Sequence, residues 1–71
     1  MEFPILIYDK EVDAAHLSLK KIEKGEVKST IELNENIILD FDKDKKLIGI
    51  EILNASKFVP KKALGKILAV S

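Results

Sequence analysis

Residues 37–56, IILDFDKDKKLIGIEILNAS, constrain the fold more than any other stretch. They hold two apolar runs, Ile37-Ile38-Leu39-Asp40-Phe41 and Leu47-Ile48-Gly49-Ile50-Glu51-Ile52-Leu53, separated by Asp42-Lys43-Asp44-Lys45-Lys46. Both runs are too short and too rich in β-branched residues for two successive helices, and the charged segment between them belongs in water. The stretch reads as a β-hairpin. Because side chains alternate along a strand, Ile37, Leu39 and Phe41 share one side of the first run, and Ile48, Ile50 and Ile52 share one side of the second.

The remaining chain supplies strands for this hairpin. Residues 3–8 (FPILIY) alternate Phe3, Ile5 and Ile7 against Leu6 and Tyr8, with Pro4 suited to a strand start or a sheet edge. Acidic residues 9–13 make a turn. Residues 14–22 then set Ala15, Leu17 and Leu19 against His16, Ser18 and Lys20; Ile22 falls out of register, which a bulge or a strand end near Lys20 would restore. After a turn at Gly25, residues 27–33 alternate Val27, Ser29, Ile31 and Leu33 inward with Lys28, Thr30 and Glu32 outward. Beyond the hairpin, Asn54 and Ser56 offer capping side chains, and Phe58 is expected to anchor on the sheet. Pro60 precedes an amphipathic helix over about 60–69, in which Ala63, Leu64, Ile67 and Leu68 lie opposite Lys61, Lys62 and Lys66. Short connections favour antiparallel neighbours. The expectation is one α+β domain spanning 1–71, an antiparallel β-meander of four to five strands with one short C-terminal helix.

A chain of 71 residues buries only about 60% of the surface its unfolded form exposes, so a monomer has a thin stability margin. Small domains usually make up the difference with disulfides, a metal or a partner subunit. This chain has no cysteine, and His16 is its only histidine, which removes disulfides, thiolate sites and His-rich metal centres. Apolar residues nevertheless stand on both faces of the first strand and of the last. A homodimer follows as an expectation, with Leu6, Tyr8, Leu47, Leu53, Phe58, Leu64, Ile67 and Leu68 as interface candidates. Twelve Lys and no Arg balance twelve Asp plus Glu. That neutral total and missing guanidinium disfavour nucleic acid as a partner. No run reaches the roughly twenty apolar residues that span a bilayer, and residues 1–4 lack the features of a signal peptide, so a cytoplasmic protein is the default expectation.

Three groups of residues merit a chemical reading. Asp40, Asp42, Asp44 and Glu51 occupy positions one, three, five and twelve of a calcium-loop register, where alternating carboxylates converge on one cation. Lys45 stands where that register needs glycine, Lys43 and Lys46 oppose a divalent ion, and the flanks are strands, so a solvated hairpin turn is the competing reading. Histidine is the residue type whose unperturbed pKa lies near neutrality, but acid–base catalysis by His16 needs a partner to orient it, and Ser18, Ser29 and Thr30 lie in no nucleophile motif. Lys57, Lys61, Lys62 and Lys66 form a basic cluster whose ordinary role is to keep a packed helix wet. No cofactor is called for, and the chain reads as a non-enzyme.

Tyr8-Asp9, Asp13-Ala14, His16-Leu17-Ser18-Leu19 and, most clearly, Gly49-Ile50-Glu51-Ile52-Leu53-Asn54-Ala55-Ser56 resemble the small-domain family of unknown function DUF2283. The likeness covers about residues 7–57, and its pattern is Y-D-x-x-x-D-A-L-Y-I-x-L followed by V-x-G-I-E-I-L-D-A-S. His16 replaces an aromatic residue of that pattern, and Asn54 replaces an aspartate. The resemblance implies a small single domain with no catalytic residue to carry over. For some members it implies an antitoxin-like role beside a small toxin-like protein. A non-enzymatic interaction module is the leading expectation; a metal- or ligand-binding regulator using Asp40, Asp42, Asp44 and Glu51 is the alternative.

Overall fold

A computed structural model describes residues 3–64 of the chain. Five strands form one antiparallel sheet: β1 (Ile5–Asp9), β2 (Ala14–Ser18), β3 (Ser29–Glu32), β4 (Ile37–Phe41) and β5 (Leu47–Leu53). Two short helices follow, α1 (Ala55–Phe58) and α2 (Lys61–Leu64). The expected hairpin is β4–β5, with Leu39 opposite Ile50 and Ile37 opposite Ile52, and a register shift at Asp40/Phe41. Its turn closes through Asp42, whose Oδ1 accepts the amides of Asp44 at 2.8 Å and Lys46 at 3.0 Å. Lys45 supplies the left-handed residue of that turn at φ 62°, the role glycine usually fills in such hairpins.

The strand order β1-β2-β5-β4-β3 corrects the expected meander. β2 pairs with β5, setting Leu17 opposite Ile50 and Ala15 opposite Ile52, and residues 19–28 carry the chain across to the far edge. A simple meander would leave β5, the longest and most apolar strand, unpaired along one side. Placing it in the centre satisfies both of its edges and moves the polar β3 to the rim. Three strand spacings amount to about 14 Å, well within reach of that connection. β2 stops at Ser18, although the Leu19 amide still donates to the Ile48 carbonyl at 2.9 Å. Ile22 is thereby free to leave the strand.

Register divides the sheet into two faces. One carries the row Leu6, Leu17, Ile50, Leu39, Ile31, together with Tyr8, Ala15, Ile52 and Ile37. The other carries Ile7, His16, Glu51 and Ile38 in one row and Ile5, Ser18, Gly49, Asp40 and Thr30 in the next. Among the described residues, the buried apolar side chains are Ile5, Ala15, Ile48 and Ala55.

Two helices replace the single one expected. α1 arises because Asn54 turns the chain through the left-handed region at φ 56°; its side chain bonds Asn36 Oδ1 at 2.8 Å and does not cap the helix. Phe58 is 48% exposed and does not anchor on the sheet, a correction to the sequence reading. Leu64 is half-buried in α2. Lys66, Ile67, Leu68 and the rest of the expected helix lie outside the described residues.

Candidate functional site

Two polar centres sit on this frame. At one end of the sheet, the β1–β2 turn meets the exit of β5 through Asp13, held at φ 53°. Its Oδ1 accepts the Tyr8 hydroxyl at 2.7 Å and the Ser56 amide at 3.0 Å, its Oδ2 accepts the Ser56 hydroxyl at 2.7 Å, and its carbonyl accepts the Ala55 amide at 2.8 Å. The Ser56 and Tyr8 hydroxyls hold the Asp13 carboxyl below the usual carboxylate range, while the bond to Asp13 pushes the Tyr8 phenol up. With Ala55 fully buried beside it, this centre clasps the last strand to the first hairpin.

The second centre lies on the mixed face, where β2, β5 and β4 bring His16, Glu51 and Asp40 together. Asp40 is buried at 5% exposure, and its Oδ1 is 3.4 Å from the Thr30 hydroxyl that donates to it. Its Oδ2 stands 3.9 Å from His16 Nε2, a buried nitrogen with no hydrogen-bond partner. Burial, and then the hydrogen bond shared with Asp40, raise the Glu51 carboxyl above its usual range. Gly49 makes room for the group: a Cβ there would lie 2.9 Å from His16 Nε2, 3.2 Å from Ile22 Cδ1 and 3.4 Å from Asp40 Oδ2. Ile22, released from β2, closes over this spot.

A family model described as "Protein of unknown function (DUF2283)" matches residues 6–56. The chain belongs to the DUF2283 family. The matched stretch begins in β1 and ends on Ser56, the residue that completes the Asp13 clasp. Comparison with curated proteins and comparison with solved structures each return no match. The DUF2283-like blocks at the two ends of the sequence, Tyr8 to Ala14 and Gly49 to Ser56, therefore meet in space.

Of the four calcium-register residues, the structure unites Asp40 and Glu51 on one face. Asp42 is committed to the amides of its own turn, first that of Lys46, which holds its carboxyl low, and Asp44 is exposed in the same turn. Among the described residues, no group of three or more His, Asp or Glu side chains is placed to hold a metal ion. The interface candidates divide between the faces, with Leu6 and Tyr8 on the apolar face and Leu53 on the mixed one. Leu47 and Leu53 are 36% and 42% exposed. Among the basic residues, Lys57, Lys61 and Lys62 are exposed on or beside the short helices. No described helix is long and apolar enough to cross a membrane.

Sequence reasoning missed the role of Asp13 and the pairing of His16 with Asp40. The first had a signal, the two family-like blocks at opposite ends of the chain. The second needed the β2–β5 pairing, which strand periodicity does not supply.

Proposed function

We propose that this chain is a non-enzymatic protein-interaction module, homodimeric, that presents the apolar face of its open sheet to a small partner protein. The observation that carries this reading is the row Leu6, Leu17, Ile50, Leu39: four apolar side chains across four adjacent strands, each only half-buried among the described residues. Such a contiguous face marks an association surface on a small domain. The family resemblance adds the kind of partner, a small toxin-like protein for which this chain would be the antitoxin-like subunit. Coexpression with the product of the neighbouring gene tests the idea: a stable complex is expected, lost on Leu39→Gln but kept on Val12→Gln, a change at an exposed turn residue. A complex indifferent to Leu39→Gln, or none at all, overturns it.

The regulator reading retains Asp40 and Glu51, which His16 adjoins. Calcium titration by calorimetry addresses it, and measurable heat of binding abolished by Glu51→Gln would favour it over the interaction module.

A further inference from the structure

The two rims of the sheet differ in what covers them. At β1, Pro4 has no amide to offer, and Tyr8 lines a cavity of about 570 Å³ with Lys10, Ser56, Lys61 and Leu64. At β3, all four residues are exposed. The Leu33 amide donates to the Ile37 carbonyl, and bonded and non-bonded pairs alternate along antiparallel strands. With Ile31 opposite Leu39 and Thr30 opposite Asp40, Ile31 bonds inward while Thr30 and Glu32 turn their amides and carbonyls outward. Lys28 spends its amide on the Phe41 carbonyl.

We infer that two copies of this chain join along β3, antiparallel, about a two-fold axis through Thr30. The register is self-complementary. It sets Lys28 of each copy opposite Glu32 of the other, Val27 opposite Leu33 of the other, and Thr30 opposite Thr30, and each of these cross-strand pairs is favourable. Val27 and Leu33 are 38% and 63% exposed in the single chain. Two backbone bonds form between the Thr30 residues. An axis through Ile31 leaves both Lys28 and Glu32 without an opposite charge, and one through Glu32 brings two carboxylates together. Pairing through Thr30 also joins the apolar faces of the two copies into one platform of ten strands. This inference deepens the homodimer reading and rests on it.

Oxidation of Thr30→Cys tests the geometry in a chain with no other cysteine. Bonded antiparallel partners stand about 5.5 Å apart at Cα, within disulfide reach, so rapid covalent dimer formation is expected there and not for Val12→Cys. Lys28→Glu should weaken the dimer about tenfold, and Lys28→Glu with Glu32→Lys should restore it to within about threefold. Thr30→Pro should give a folded monomer, since that amide faces outward. If the unaltered chain dimerises but ignores Lys28→Glu and Thr30→Pro, and Thr30→Cys fails to link, the β3 pairing is wrong and the homodimer stands by another surface. If the unaltered chain is a monomer, both ideas fall.

Discussion

On one face of the sheet, Leu17, Ile50 and Leu39 stand side by side on β2, β5 and β4 without a titratable group among them. One residue along, the same three strands turn His16, Glu51 and Asp40 to the other face. On the mixed face the chain covers one spot, because Gly49 leaves a hollow and the β2–β3 connection lays Ile22 over it, while Ile7 and Leu53 on the same face stay exposed. Among the described residues, the strands carry no carboxylate or ammonium on the apolar face, and Tyr8 is its titratable group. A sheet this small thus keeps the buried Asp40 beside the spot that its own connection covers, and the proposed partner would meet the other side.

The largest expected effect comes from filling the Gly49 hollow. Gly49→Val should cost about 1–3 kcal/mol in chemical denaturation, as overpacking does, and His16→Ala in the same chain should recover part of it by withdrawing the nearest atom. A Gly49→Val chain as stable as the original would show that the mixed face is loosely closed and would erase the contrast. On the apolar side, Leu39→Gln should leave a cooperative unfolding transition in place while removing the partner complex. If that change unfolds the domain instead, the apolar face is core and not surface.

Proton linkage sharpens the contrast further. Glu51 has a raised folded value, so its contribution is present below its ordinary 4.5 and is lost as pH rises through the folded value. The melting temperature should carry a downward component with pH above about 4.5 that Glu51→Gln removes. Asp13 runs the other way: its lowered value gives stability above its ordinary 3.8, lost as pH falls through the folded value. Two-dimensional NMR titration of the carboxyl carbons separates the two, and a Glu51 midpoint at or below 4.5 would refute the assignment. The smallest effect lies on neither face. Lys45→Gly should stabilise the β4–β5 turn by under about 1 kcal/mol, because the left-handed conformation at φ 62° favours glycine.

Much of this architecture was legible in the sequence. The alternation of isoleucines announced β4 and β5 with their turn, and the alternation of Ala15 and Leu17 with His16 and Ser18 announced β2. Strand order was not legible, since periodicity says which face a residue takes and nothing about which strand lies next to it. The expected meander failed for that reason, and the His16–Asp40 approach went unseen with it. The calcium spacing was legible, but which of its carboxylates share a face was not: Asp40 and Glu51 do, while Asp42 accepts two amides of its own turn. Asp13 gave no sign by itself, because an acidic residue in a turn is ordinary until Ser56 arrives from the far end of the chain.

Sedimentation equilibrium of the intact chain across the micromolar range tests the association claim most directly. A mass of twice the chain, falling toward one chain on dilution, is the expected result. One chain mass persisting at high micromolar concentration would contradict it.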